Sequence, residues 1–435
     1  MSGLAEVLKA MGYAVSGCDI RDSRTLDHLR NHGIEVFIGH DARHLEGVDL
    51  LVYSSAIPRN NLEILEAGSR HIPIFHRAEM VAEIMRLKRG IAVFGAHGKT
   101  TTTSLIAYLF EGMGSDPTVM IGGRLKIFSG HGKWGGGEFM IVETDESDGS
   151  FLFFYPEIAV LLNLDEEHLD YWGRIERLEE KVVEFAQRIP FYGTLFICQD
   201  DPRLTALSRQ IRRRIVTFGI GGGDLRGEIL RYLPEGMEVV VELWGERYGP
   251  FLLPLFGEHN LSNALAALGV GVSVGFDPVE MMEKIRLFPG VERRFEILKE
   301  EDGTVIVHDY GHHPTEILAT LKAATHRFTY PLWVIWQPHR YTRTSLLWDR
   351  FKAMAHTCSR IVVTEIYPAG EAKIPEVESP RFVMELRREG HRGAVYVPLA
   401  ELKDYIRQEI PEPRVLLFFG AGSIGGFAHE FAQMA

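Results

Sequence analysis

Short apolar runs alternate with amphipathic stretches along the whole chain. Leu4, Leu8 and Met11 recur at helical spacing, so the sequence predicts a helix almost at its start. Residues 13–19 follow as a short strand ending in an acid, and 35–38, 50–54 and 74–75 read as further strands separated by helical stretches. A second block opens with an apolar strand at 91–94 and continues with strands near 139–143, 158–162, 193–198 and 214–218. Gly221-Gly222-Gly223 marks a loop, two β-rich stretches follow at 227–231 and 238–244, and an Ala-rich helix opens at His259-Asn260. Phe288-Pro289-Gly290 reads as a linker. Beyond it, strands at 305–309, 332–337, 361–364 and 414–419 alternate with helices. Three successive α/β units are the simplest architecture, divided at 1–88, 89–289 and 290–435. No short-period repeat or low-complexity segment interrupts them.

Bulk composition narrows the function. At 435 residues the chain is too long for one core. Its 46% hydrophobic and 24% charged residues are ordinary globular values. A net charge of −12 argues against a nucleic-acid partner but leaves room for a local basic pocket. Cys18, Cys198 and Cys358 fit no disulfide framework or zinc spacing, and the simplest reading makes each a small core residue in a reducing cytosol. No apolar run has the length of a membrane span and no signal peptide is seen, so a cytoplasmic protein without membrane insertion is expected. Oligomeric state is not legible.

The strongest chemical signal is IAVFGAHGKTTTTS at 91–104. An apolar strand runs into Gly95, then Gly98-Lys99-Thr100, then helix formers, in the order of a phosphate-binding loop. Loop N–H groups and the helix N-terminus can hold polyphosphate oxygens. Lys99 supplies a point charge for them, and the Thr100 hydroxyl can ligate Mg²⁺. Only Ala96 and His97 separate the first glycine from Gly98-Lys99, so the spacing is shorter than the full Walker pattern.

Further polar clusters fall where strands end, which is where open α/β sheets bind ligands. Glu143 heads the acidic run ETDESD, as a Mg²⁺ ligand or as part of a solvated turn. His168 lies between Asp165 and Asp170 and can ligate a metal or take a proton. Asn260 suits a helix cap; with His259 and Asn263 it also offers the donors and acceptors that read an adenine edge, the cap being the simpler role. The third unit carries Arg293-Arg294-Phe295, Asp309-Tyr310-Gly311-His312-His313 and His339-Arg340-Tyr341-Thr342-Arg343, whose cations suit carboxylate or phosphate recognition. The adjacent His312-His313 pair is not spaced as a zinc site.

Taken in order, VYSSAIP (52–58), GAHGKTTTTS (95–104), ETDESDGSFL (143–152), PEIAVLLNLDEEHLDYWG (156–173), PFYGTLFICQDDP (190–202), GEHNLSNALAAL (257–268), GVERRFE (290–296), DYGHHPTEILATLKAA (309–324), QPHRYTRT (337–344), IYPAGE (366–371) and GAGSIG (420–425) resemble the Mur ligases of peptidoglycan precursor synthesis, in the alanine-adding branch. The resemblance covers nearly the whole chain. It implies a Rossmann-like UDP-sugar-binding domain, a P-loop ATPase domain and a Rossmann-like amino-acid-binding domain. It further implies that Gly95, His97, Gly98, Lys99, Thr100 and Thr101 wrap the ATP phosphates, that His259, Asn260 and Asn263 lie on the adenine side, and that Arg294 and Asp309 reach the nucleotide. Thr100, Glu143 and His168 would hold Mg²⁺; Ser54, Ser55 and Arg77 would touch the UDP-sugar; Tyr310, His312, His339, Arg340 and Arg343 would form the amino-acid pocket.

The implied reaction joins L-alanine to the carboxylate of UDP-N-acetylmuramate through an acyl phosphate, at the expense of ATP, in the pathway that serves cell shape and division. Lys99, His168 and Arg343 carry the catalytic expectation, with His168 the candidate base. Closure of the units around the substrates is expected. Two alternatives stand beside it: a muramate ligase that recycles whole tripeptides or a related folate polyglutamate synthase, and a nucleotide-binding homologue that does not ligate. Three departures from the family pattern bear on these. Residue 96 is Ala rather than Thr and 311 is Gly rather than Ala, both expected to be tolerated. The strand and Gly-rich turn expected before the first helix do not stand ahead of it, which predicts either a start upstream of Met1 or weak binding of the UDP-sugar.

Overall fold

The computed structural model describes residues 1–122 and 132–434, which fall into two compact units. The first runs from Met1 to Arg231 and takes in Glu238–Pro254 and Asn260–Pro289. Its opening helix, Ser2–Ala10, buries Leu4 and Val7. Two parallel strand pairs follow: Ser16–Asp19 beside Glu35–Ile38, and Leu51–Tyr53 beside Ile74–His76.

The main sheet places Arg89–Phe94 between Phe139–Glu143 and Ile158–Leu161, all parallel. These strands are buried on both faces, which explains why they read as continuous apolar runs rather than alternating ones. Phe94, Phe151 and Phe185 pack together beneath the loop that follows the middle strand, with ring centroids 4.9–6.2 Å apart. Thr194–Cys198 and Ile215–Gly219 extend the sheet in parallel on one side, and Leu225–Leu233, Gly236–Leu243 and Glu246–Leu253 continue it to that edge.

The second unit contains Gly290–Ala435 and centres on Arg414–Phe419, which lies between Thr304–Asp309 and Leu332–Trp336 in parallel register. Phe418 and Phe419 point to opposite faces: Phe418 joins Ile335 and Phe431 in one core, and Phe419 joins Trp336 and Phe382 in the other. The sheet is closed on one side by the antiparallel strand Glu296–Glu301.

Several strands went unread in the sequence. Thr118–Met120, Gly132–Lys133 and Ala394–Tyr396 are too short to show a period. Glu246–Leu253 contains Gly249-Pro250, which argues against a central strand; it forms at the edge of the sheet, where proline is tolerated. Glu296–Glu301 is rich in acids and half-exposed, so it lacks an apolar face.

Candidate functional site

The loop after Arg89–Phe94 turns sharply at Gly95 (φ 155°) and Gly98 (φ 82°) into the helix Lys99–Gly112. A Cβ on Gly98 would lie 2.9 Å from Asn263 Oδ1, and one on Gly95 would lie 2.9 Å from Leu162 Cβ. Both glycines therefore bring the loop backbone against its neighbours as well as freeing its turn. Asn163 clamps the loop from the next strand end: its Oδ1 accepts from His97 N at 2.8 Å and its Nδ2 donates to His97 O at 2.9 Å. The His97 ring meets Asp165, Nε2 to Oδ2 3.1 Å.

Lys99 Nζ reaches 2.9 Å from both oxygens of Glu146 and 2.5 Å from Gly95 O. Burial opposes the lysine's charge, but Glu146 and Glu143 outweigh it and hold the ammonium above its ordinary range. Burial pushes the Glu146 carboxyl up to about 7 against the pull of Lys99, with Asp145 and Glu167 adding like charge. Thr100 Oγ1 donates to Glu143 Oε1 at 2.9 Å, and Gly122 N donates to its Oε2 at 3.0 Å. His168, in a left-handed conformation at φ 55°, brings Nε2 to 3.9 Å from Glu146 Oε1. Ligand atoms of Glu146, Glu167 and His168 lie within 4.8 Å of one another. The Trp172 indole, itself buried, fixes the Glu146 backbone by donating to its carbonyl at 2.9 Å. A helix N-terminus with a lysine, a Thr–Glu pair and a buried excess of carboxylates fits a nucleoside polyphosphate with a hard divalent cation.

Thr101 is buried one residue further along that helix. Asn260 and Asn263 are also buried, and Asn263 Nδ2 donates to Asn260 Oδ1 at 3.1 Å. The helix begins at Glu258, so Asn260 lies inside its first turn and not at the cap; its side chain is committed to Asn263 instead. His259, beside it in sequence, is exposed.

Ser54 and Ser55 follow the strand Leu51–Tyr53, and Arg77 opens the helix Arg77–Met85 just after the paired strand. His76 caps that helix in a reciprocal box with Glu79, and its Nε2 lies 3.7 Å from Asp148 of the acidic run. The three predicted UDP-sugar residues thus share one end of a parallel strand pair that touches the ETDESD segment.

In the second unit the residues expected for the amino-acid pocket lie near one another. Tyr310 and His312 follow Thr304–Asp309; His339, Arg340 and Arg343 follow Leu332–Trp336. The His312 and His339 rings are 5.8 Å apart, and His339 stacks on Tyr367 at 5.7 Å. Arg343 Nη1 donates to His339 Nδ1 at 3.1 Å. Burial, then Arg343, His312 and Arg340, depress His339 to about 4, so its ring stays neutral. Asp309 is buried and accepts from Phe295 N (2.8 Å) and Gly311 N (2.7 Å), and burial raises its carboxyl above the usual range. Arg294 Nη1 donates to Glu316 Oε1 at 3.1 Å, and Glu316 Oε2 accepts from His312 N at 3.0 Å.

Sequence reasoning missed the acids that position these cations. Glu146 was within the acidic run but not singled out, and Glu371, which accepts from Arg340 Nε at 2.6 Å and from Thr342, ends the YPAGE segment. Asn163, Asp165 and Glu316 were equally within reach as polar residues just past strands. One cysteine departs from expectation. Cys198 and Cys358 are buried core residues, but Cys18 lies in a polar cluster: its Sγ is 3.2 Å from Glu63, which also accepts from His40 Nδ1 (2.9 Å) and His44 Nδ1 (2.8 Å). His40 and His44 are four residues apart, but Cys18 lies 22 residues before His40 and Glu63 lies 19 after His44, so no spacing rule could join the set.

Three family models match consecutive stretches: the Mur ligase family catalytic domain over residues 1–89, the Mur ligase middle domain over 93–271 and the Mur ligase glutamate ligase domain over 293–422. The chain is 42% identical to UDP-N-acetylmuramate–L-alanine ligase of Anaeromyxobacter dehalogenans (strain 2CP-C), covering 100% of this chain and 95% of the relative. It is 44% identical to the protein of the same name from Nitratidesulfovibrio vulgaris (strain DP4), covering 98% and 94%. The crystal structure of a UDP-N-acetylmuramate–alanine ligase from Thermotoga maritima superimposes with a TM-score of 0.83 at 28% identity, covering 100% of this chain and 96% of that one.

Proposed function

Because the chain belongs to the Mur ligase family, we propose that it ligates L-alanine to the muramoyl carboxylate of UDP-N-acetylmuramate at the expense of ATP. The observation that carries the reading is the buried Lys99–Glu146 pair beside Thr100–Glu143, at the turn from the central strand into its helix. The names of the relatives support the choice of alanine over a tripeptide and over a non-ligating role. ATP reacts in the cytoplasm under this reading.

The loop from Gly95 to Thr101 holds the ATP phosphates through backbone N–H groups, with Lys99 set against the transferred phosphoryl group. Thr100, Glu143, Glu146 and Glu167 would supply oxygen donors for Mg²⁺, which would neutralise phosphate charge. The muramoyl carboxylate oxygen attacks the γ-phosphorus, ADP leaves, and an acyl phosphate forms. The alanine amine attacks the acyl carbon, inorganic phosphate leaves, and the amine proton passes to a base. His168 takes that role in this reading, because carboxylate neighbours stabilise a protonated imidazole. Arg340 and Arg343 clamp the alanine carboxylate, and the neutral His339 braces Arg343. Ser54, Ser55 and Arg77 are assigned to the UDP-sugar; Asn260 and Asn263 of the first unit, and His259, Arg294 and Asp309 of the second, are assigned to the nucleoside. In domain terms this assigns 1–88 to the UDP-sugar, 89–289 to ATP and 290–435 to the amino acid.

The test is phosphate release by the full chain. Release that requires both UDP-N-acetylmuramate and L-alanine is expected. Release driven better by a tripeptide would move the assignment to the recycling ligase, and release indifferent to both additions would remove the ligase reading.

A further inference from the structure

The family site leaves one cluster in the second unit unused. Glu296 and His308 are direct cross-strand partners in the antiparallel pair Glu296–Glu301 and Thr304–Asp309, so their side chains share a face of the sheet. The last helix, Ile424–Met434, packs on the same two strands and contributes His429. Gly425, one turn earlier on the same helix, makes the fit possible: a Cβ there would lie 2.7 Å from the His308 ring. Ligand atoms of Glu296, His308 and His429 all lie within 4.8 Å of one another. His429 Nε2 is 3.9 Å from Glu296 Oε2, and the two histidine rings meet edge to face at 5.7 Å.

His308 is the anomaly. Its side chain is 1% exposed, and neither ring nitrogen makes a hydrogen bond of good geometry, with only a weak contact to the Gly420 backbone. A buried polar atom left so costs about 1–3 kcal/mol. By contrast, the Cys18–His40–His44–Glu63 cluster is held by its own hydrogen bonds: Cys18 Sγ, His40 Nδ1 and His44 Nδ1 each meet a Glu63 oxygen at 3.2, 2.9 and 2.8 Å.

We infer that Glu296, His308 and His429 form a binding site for a borderline divalent transition cation such as Zn²⁺. Two imidazoles and a carboxylate are an ordinary zinc donor set, with ligand atoms about 3.3 Å apart around a tetrahedral ion. Small side-chain rotations bring the three atoms to that spacing. His429 is half-exposed, so a fourth position faces water. The Arg293 guanidinium is drawn away over the Tyr310 ring, 4.8 Å from its centroid. Glu296 Oε2 also accepts from Arg293 N at 2.8 Å. The ion would therefore tie together two strands, the final helix and the segment Arg293–Phe295, which holds two non-glycine residues at positive φ (60° and 46°) and carries Arg294. Its role is structural: it fixes the segment that presents Arg294.

The experiment is Zn²⁺ and Co²⁺ titration of the full chain in excess Mg²⁺, which fills hard-oxygen sites, beside His429→Ala and Cys18→Ser. His429 is exposed, so its variant folds. The wild type is expected to bind one equivalent with a rise in Tm. His429→Ala should weaken that equivalent by about 100-fold or more, beyond the loss usual for an outer-shell partner. Cys18→Ser should retain it. Bound Co²⁺ should show visible d–d bands without a thiolate charge-transfer band. A His429→Ala protein that binds as the wild type does, or an equivalent lost in Cys18→Ser with a thiolate band in the wild type, overturns the assignment.

Discussion

The two polar centres, one in each compact unit, are built with opposite electrostatics. The centre around Lys99 sets one cation among Glu143, Asp145, Glu146 and Glu167, while the centre around His339 gathers Arg340, Arg343, His312 and a neutral imidazole. Each has the complement of what it is proposed to take. Excess buried carboxylate suits a divalent ion with a polyphosphate, and excess guanidinium suits a free amino-acid carboxylate. Their structural economies also differ. The first centre holds its lysine with a buried carboxylate of raised proton affinity, so its net charge depends on pH. The second holds Arg340 with Glu371, a carboxylate that stays ionised: burial opposes its charge, but bonds from Thr342 and Arg340 outweigh it.

The largest effect should come from the first centre. Lys99→Ala is expected to lower phosphate release about 1,000-fold, the scale of losing one transition-state charge contact, and to leave Glu146 buried without its partner. Activity near wild type would show that the lysine is structural only. In the second centre, Arg343→Lys keeps the charge but loses the fork. The KM for alanine should rise about 10- to 100-fold, as for a lost charged hydrogen bond, with the KM for ATP unchanged. An equal rise in both would collapse the distinction between the centres. Glu371→Gln should act more weakly in the same direction, raising the alanine KM about tenfold or less, because it disturbs Arg340 without removing it.

The smallest effect is on stability, and its sign differs between the centres. Glu146 is raised from 4.5 to about 7, so its contribution is present below pH 4.5 and fades as pH rises to about 7. His339 is depressed from 6.5 to about 4, so its contribution is present above pH 6.5 and fades as pH falls to about 4. The two windows overlap, so thermal melts of Glu146→Gln and His339→Phe across pH 4 to 8 should change the slope of the profile in opposite directions. If both variants change the slope in the same direction, the contrast is wrong.

Much of this was legible in the sequence because strand ends announce themselves. An apolar run that stops at a glycine or a polar residue marks both an element and a place where side chains converge, and Lys99, Glu143, His168, Tyr310 and His339 all lie at such points. What the sequence did not yield was pairing. Nothing in the spacing says that Lys99 meets Glu146 rather than Glu143, or that Arg340 meets Glu371, 31 residues away. Asn260 was misplaced as the cap by three residues for a related reason. Its cap propensity is real, but the helix starts earlier and burial hands the amide to Asn263. Cys18, His40, His44 and Glu63 show the same limit, since only the folded chain gathers them.

The hydrogen bond from the Trp172 indole to the Glu146 carbonyl has a practical consequence. A shielded indole emits at a wavelength set by the charges around it, and this one is tied to the residue that shares the lysine's proton balance. The molecule therefore carries a native fluorophore wired to the loop proposed to hold phosphate. A spectral shift on adding ATP and Mg²⁺, abolished by Trp172→Phe, would give a label-free optical signal of site occupancy without turnover.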